Sequence, residues 1–278
     1  MVPLAAGIPG DSGGSRPPAI REGLPPGIVA DLHSIRLQDG ATETLLFETT
    51  DFIIDACLAH PPGRAEGLLV LTAAEVRARR PRGGELYLVD ITSPQAAVKL
   101  SPRACYNFWS VSVGDVDGDG AQDVALCTFS RTVLTPRYAQ RLFIYSWNAQ
   151  GDLHPLWRGS RLCRPYDAAL LTDVTGDGTA ELVSIEHGPN GGKLLVAYEW
   201  NQFGFWGLGQ SDEFASLRLL RIPAAPCGPT NRALVQVDDA ERPGARRITL
   251  ELVDAGWQEA PAWECAYAVE PCCPMPTP

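Results

Sequence analysis

The stretch Ser112-Val113-Gly114-Asp115-Val116-Asp117-Gly118-Asp119-Gly120-Ala121-Gln122-Asp123-Val124-Ala125-Leu126 returns 58 residues later as Leu171-Thr172-Asp173-Val174-Thr175-Gly176-Asp177-Gly178-Thr179-Ala180-Glu181-Leu182-Val183. Other markers keep the same order. Cys105 and Cys163 each stand ten residues before the acidic stretch, and Arg141 to Asn148 is matched by Leu194 to Asn201. A glycine follows each of those asparagines within three positions, as Gly151 and Gly204. A chain that repeats at this period is built from units that bury their faces against one another, not from one continuous core.

Weaker copies flank the two strong ones. Asp51 to Asp55, Leu68 to Leu71 and Glu85 to Val89 lie upstream; Ala233 to Asp238 and Ile248 to Val253 lie downstream. Taking Asp55, Asp115, Asp173 and Asp238 as equivalent gives four units of about 60 residues. Within each unit the apolar strings run four to eight residues, rich in Val, Leu, Tyr and Trp, and Gly, Asn, Asp or Pro bounds them. That is the pattern of strands, and no dozen residues sustain a helical apolar period. The 27 glycines and 24 prolines fit many short strands joined by turns. The expected fold is all-β: a β-propeller of about four four-stranded blades, as a small or incomplete ring. Residues 1–27 read as a Gly/Pro-rich linker, 28–268 as the propeller and 269–278 as a Pro-rich tail. Arg77 to Pro81 reads as a surface loop. Strings before residue 50 are expected to complete the last blade by pairing N- with C-terminal strands, which would protect the sheet edges.

The chemistry sits in the strong repeats. Asp115-x-Asp117-x-Asp119-Gly120-x-x-Asp123 puts carboxylates at alternating positions of a tight loop, where they can converge on one hard cation. Gly120 permits the sharp turn that would aim the Ala121 carbonyl inward. An EF-hand would carry a bidentate Glu at loop position twelve and a helix after it; Leu126 stands there, and a strand follows. The loop is thus read as a calcium site between two strands, closed by Asp123. Without an ion its carboxylates repel one another, and a divalent cation turns that repulsion into a cross-link. In the second copy Asp173, Asp177 and Glu181 keep three carboxylates, while Thr175 offers a hydroxyl or coordination through water. This site is expected to bind more weakly than the first, since affinity follows ligand charge. The stretches near Asp55 and near Asp238-Asp239 lack the spacing and are expected to be empty.

These two loops resemble the FG-GAP/VCBS repeats of integrin-α-like β-propellers, closely over about residues 105–210 and diffusely on either side. The resemblance implies calcium in the loop joining the first two strands of a blade. It assigns Asp115, Asp117, Asp119, Ala121 (carbonyl) and Asp123 to the first ion. Asp173, Thr175, Asp177, Thr179 (carbonyl) and Glu181 carry over to the second. The Gly-Ala-Pro element of the family is absent, and four units fall short of the usual seven.

Catalytic patterns are missing from the sequence. His33, His60, His154 and His187 are scattered, with no two at metal-ligand spacing, and there is no GxSxG, HExxH or Walker loop. His187 reads as an exposed turn residue. Trp147 and Trp200, at equivalent positions, are expected to pack between blades, whereas Trp157 and Trp206 lie nearer loops and are the candidates for stacking on a glycan. A net charge of −10 disfavours nucleic acid or an anionic membrane as partner. No apolar run reaches bilayer length. Eight cysteines permit disulfides, with Cys105 and Cys163 pairing with each other, Cys127 or Cys227, and so an extracytoplasmic home. No signal peptide is visible in the first residues. The reading is a non-catalytic calcium-binding module, extracellular or at the cell surface, that binds a protein or glycan and leaves room for a homo-oligomer or larger assembly. The alternatives are a carbohydrate-binding lectin and an accessory domain of a polysaccharide-degrading enzyme.

Overall fold

A computed structural model of the chain describes residues 24–64, 66–77, 80–93, 97–100, 107–131, 137–159, 162–219, 232–239, 242–253 and 256–259. The expected linker, apart from its last four residues, and the expected C-terminal tail lie outside the described residues. The described residues are all-β and contain no helix; none of their elements is a helix long and apolar enough to cross a membrane.

The first sheet is an antiparallel meander of β1 (Ile28–Ala30), β2 (Ser34–Asp39) and β3 (Thr42–Glu48). Next come β4 (Phe52–Ala59) and β5 (Gly67–Ala73), a two-stranded ribbon of β6 (Glu75–Arg77) and β7 (Arg80–Arg82), and then β8 (Glu85–Asp90) and β9 (Ala97–Leu100). The order β4-β5-β8-β9 makes the second sheet. The third is β10 (Asn107–Gly114), β11 (Asp123–Ser130), β12 (Ala139–Trp147) and β13 (Leu153–Arg158). β14 (Tyr166–Thr172), β15 (Glu181–His187), β16 (Lys193–Trp200) and β17 (Phe205–Gln210) repeat that meander. The last four strands, β18 (Ser216–Leu219), β19 (Arg232–Asp239), β20 (Arg242–Val253) and β21 (Gly256–Glu259), form another. These last two meanders join edge to edge through the parallel pair Gln210↔Gly256, giving one eight-stranded sheet.

Four apolar clusters lie between successive meanders. Ile35, Leu46 and Phe47 meet Ile53, Leu68 and Val70; Leu69 and Leu71 meet Val111, Leu126 and Phe143. Ala125, Cys127 and Ile144 meet Leu171, Leu182 and Val196, and Val183, Ile185 and Leu195 meet Leu217, Leu250 and Trp257. Central strands therefore bury alternate residues in two different clusters. In β5, Leu68 and Val70 face one neighbour while Leu69 and Leu71 face the other, and the whole strand is buried. This is why it reads as an unbroken apolar run instead of an alternating one.

Three expectations are corrected here. Among the described residues the N-terminal strings do not pair with the last meander; β1–β3 form their own sheet and pack on the second one, so the described strands make five meanders and not four. Among the described residues no apolar cluster joins β1–β3 to β18–β21. Within the Arg77 to Pro81 segment, Arg77, Arg80 and Pro81 belong to a strand ribbon and not a loop, with Val76 opposite Pro81 and Arg77 opposite Arg80. Pro81 fits there because a two-stranded ribbon is all edge and can spare an N–H.

Asp55 is not the counterpart of Asp115. The first strands β4, β10 and β14 each carry one register irregularity, between Ile53 and Asp55, Phe108 and Ser110, and Tyr166 and Ala168. Asp55 is thus equivalent to Ser110 and Ala168, and His60 occupies the position of Asp115 and Asp173. The Asp55 carboxylate instead accepts from Ser110 Oγ (2.9 Å) and the Val111 N–H (2.8 Å) of the next sheet. Asp238 stands at the end of a second strand, so it too is out of phase with the acidic loops.

Candidate metal centre

The loop from Asp115 to Gln122 joins β10 to β11, and the loop from Asp173 to Ala180 joins β14 to β15. They share four backbone hydrogen bonds to carboxylates. Asp115 accepts from the N–H groups of Gly118 and Gly120, at 2.8 Å each; Asp173 accepts from Gly176 (2.5 Å) and Gly178 (3.0 Å). Asp119 and Asp177 accept from the N–H groups of Ala121 and Thr179, at 2.8 and 2.7 Å. Asp123 accepts from the Val116 N–H and Glu181 from the Val174 N–H, at 3.1 and 2.7 Å. Gly118, Gly120, Gly176 and Gly178 all have φ between 75° and 93°, a left-handed conformation that a side chain would strain.

The side chains of Asp115, Asp117 and Asp123 each bring a carboxylate oxygen within 4.8 Å of the other two. Asp123 is only 3% exposed, and burial raises its carboxyl to about 6 despite bonds from Ser146 and Val116; the charges of Asp117 and Asp119 add to the rise. Burial, followed by the charge of Asp119, also raises Asp117. Carboxyls held close together, one of them buried, are a donor set that a hard cation relieves. The residues present fit a hard divalent cation. Asp119 stands outside this trio, its Oδ1 turned to the Ala121 N–H.

In the second loop the geometry differs. Burial raises the Glu181 carboxyl, and Thr175 donates its hydroxyl to Glu181 Oε1 (3.1 Å) and its N–H to Oε2 (3.2 Å). Among the described residues only the first loop gathers three acidic side chains at metal-binding distance. Asp173, Asp177 and Glu181 share the loop without converging in this way.

Sequence reasoning missed the parts that hold the loops. Ser146 on β12 donates to Asp123 Oδ1 and orients that carboxylate; Glu199 holds the corresponding place opposite Glu181. Val116 and Val174 are buried plugs at loop position two, each sunk in the cluster beside the next meander. Both signals stand in the repeat alignment, as Ser146 against Glu199 and valine against valine, although neither has metal-ligand chemistry. The corresponding connection between β4 and β5 has no carboxylate trio among its described residues. Its His60 Nε2 lies 2.5 Å from Glu66 Oε1, and the His60 N–H donates to Gln122 Oε1 at 2.9 Å, tying it to the acidic loop beside it.

His33 meets the Asp51 carbonyl and His187 meets Asp167, so each has a local partner and neither joins a histidine cluster. Trp147 is buried and Trp200 half-buried between meanders, as expected. Trp157 is not a loop-exposed stacking face. It is 7% exposed and edge-on to Phe205, at the start of β17. Trp206 is 65% exposed. Cys163 carries a free thiol, so the expected pairing of Cys163 is overturned, and Cys57 and Cys127 are buried. Cys127 points into the core with its sulfur 3.6 Å from the Ala169 carbonyl, while Cys163 faces solvent. Cys105 and Cys227 lie outside the described residues. No protein-family model matches the chain, and no curated protein matches it significantly.

Proposed function

We propose that the chain is a non-catalytic, calcium-stabilised β-propeller module of the FG-GAP/VCBS type that serves as a binding or scaffold domain outside the cytoplasm. The observation that carries this reading is the trio of Asp115, Asp117 and Asp123 oxygens, within 4.8 Å of one another around a nearly buried carboxylate. The stacking of successive meanders face to face supports the blade arrangement, and the backbone hydrogen bonds that the two loops share support a second, weaker calcium site made by Asp173, Thr175, Asp177, Thr179 and Glu181. Calorimetric titration of the whole chain is expected to show two calcium ions, one bound more tightly. Asp117→Asn removes the tight ion and Asp177→Asn the weak one. No binding in millimolar calcium would overturn the reading.

A glycan partner is favoured by one observation. Trp206 stands exposed directly opposite the exposed Glu199 in the β16–β17 pair, beside Phe203 at 90% exposure. An indole face next to a carboxylate can stack on the C–H face of a sugar while accepting from its hydroxyls. Binding on a glycan array that vanishes in Trp206→Ala is the expected outcome for a lectin; a blank array removes this second reading and leaves a protein partner.

A further inference from the structure

Asn190 is the one asparagine in the sequence that a glycine follows. It stands exposed in the turn between β15 and β16, ahead of Gly191 with its φ of 93°. With no Cβ on the following residue, that residue's backbone nitrogen can swing onto the asparagine side-chain carbonyl. In this turn the groups that would react are tied down. The Gly191 N–H donates to the Gly188 carbonyl at 3.3 Å. Asn190 Nδ2 donates to Glu213 Oε2 at 2.9 Å, and the Asn190 N–H donates to Oε1 and Oε2 of the same carboxylate, at 3.1 and 3.3 Å.

Glu213 also accepts from the Gly192 N–H at 2.5 Å. A Cβ on Gly188 or on Gly192 would lie 2.4 or 2.7 Å from the Glu213 side chain, so both positions need glycine for the carboxylate to enter the turn. Glu213 belongs to the connection between β17 and β18, which runs back along β16. There the Ser211 N–H donates to the Leu195 carbonyl at 2.9 Å, and Lys193 and Phe214 exchange backbone bonds of 2.7 and 2.9 Å. One carboxylate therefore holds the turn of the fourth meander to the segment that leads into the last one.

We propose that Asn190 is a deamidation site that Glu213 keeps closed, and that its conversion loosens the connection between the last two meanders. The Gly191 nitrogen gives its proton to water and attacks Asn190 Cγ. A C–N bond forms in a five-membered imide, the Cγ–Nδ2 bond breaks, and the amide leaves as ammonia after taking a proton from water. Water then adds to either imide carbonyl and opens the ring, to aspartate or isoaspartate. One asparagine and one water give one aspartyl residue and one ammonia, with no oxidant or cofactor. The attack needs Gly191 released from Gly188 and the Asn190 amide released from Glu213, so its rate follows the opening of the turn. The product puts a carboxylate where Glu213 held an amide donor, and two like charges at that distance repel.

The test incubates the full chain in mildly alkaline buffer, folded and in urea, and follows residue 190 by peptide mass mapping and enzymatic isoaspartate detection. Folded parent chain is expected to convert at least about tenfold more slowly than the chain in urea, the worth of one charge-assisted hydrogen bond. Glu213→Ala should recover most of that difference, and Glu213→Gln, which keeps one acceptor, should lie between. Circular dichroism checks that each variant is folded; if Glu213→Ala is not, Glu213→Gln carries the rate comparison. Asn190→Asp makes one product directly. In it, hydrogen exchange at the Lys193 and Phe214 amides should quicken about tenfold while β11 and β12 exchange as in the parent. Equal conversion in the folded chain and in urea, no acceleration in the folded Glu213 variants, or unchanged exchange in Asn190→Asp would each overturn the proposal.

Discussion

Removing calcium at pH 7 is expected to lower the midpoint of thermal unfolding by roughly 5–10 °C. An ion held at a hundred times its dissociation constant stabilises the folded chain by about 2.7 kcal/mol, and in a chain this long each kcal/mol moves the midpoint by about 2–4 °C. The variant that isolates the ion from its scaffold is Asp117→Ala. Asp115 and Asp123 hold loop N–H groups as well as the proposed ion, so replacing either damages the loop itself. Asp117 belongs to the carboxylate trio without holding Gly118, Gly120 or Val116. Its loss should leave the metal-free protein as stable as before, or slightly more so, and abolish most of the calcium response. An undiminished response in Asp117→Ala would sink the assignment.

The pH dependence sharpens the same test. Burial raises the Asp123 carboxyl to about 6 from its ordinary 3.8, so the folded, metal-free chain favours the protonated form more than the unfolded chain does. That contribution is fully present below pH 3.8 and is lost as pH rises through about 6, a change of about 3 kcal/mol. Asp117 and Glu181 shift in the same direction. In chelator, therefore, stability should fall between pH 4 and 7. In calcium the fall should vanish, because the ion takes the place of the proton. The two melting curves are expected to part above about pH 6, and parallel curves across the range would mean that the trio holds no ion.

The loops were legible because their information is local. Carboxylates, glycines and their spacing lie within nine residues, and the same hydrogen bonds form wherever that string occurs. The strands were legible for a similar reason. The errors came from long-range register. Asp55 was matched to Asp115 by residue type, yet the irregularity in each first strand puts it opposite Ser110, and His60 takes the loop position. Trp157 sits near a loop in sequence, but the face it shows is decided by a neighbouring hairpin that brings Phe205 against it. The separate N-terminal sheet was hidden because nothing in Ile28–Glu48 repeats the acidic loop. An even cysteine count pointed to disulfides, although burial of Cys127 and exposure of Cys163 follow from which side of a sheet each one meets.

Gly114→Val should destabilise the chain by about 3 kcal/mol and weaken calcium binding at both loops together. Gly114 ends β10, and a Cβ there would lie 2.5 Å from the Ala180 Cβ and 3.0 Å from the Leu171 Cβ. The equivalent positions hold Ala59 and Thr172, so the strand itself tolerates a side chain. Only the close approach of the next meander demands glycine. That approach carries two further bonds: the Ala180 N–H donates to the Asp115 carbonyl at 2.5 Å, and the Leu171 N–H donates to Ser112 Oγ at 3.1 Å. Ala180 stands between Thr179 and Glu181, and Asp115 opens the other loop, so a valine that pushes these chains apart displaces both loops at once. Thr172→Val, which puts the same residue at the equivalent position of the next meander with almost no change in volume, serves as the control and should shift stability by no more than about 0.5 kcal/mol. Urea unfolding and calcium titration of the two variants read the result. If Gly114→Val unfolds like the parent chain and still binds two ions, the close packing between the loops does not hold them, and each loop must owe its shape to its own sheet alone.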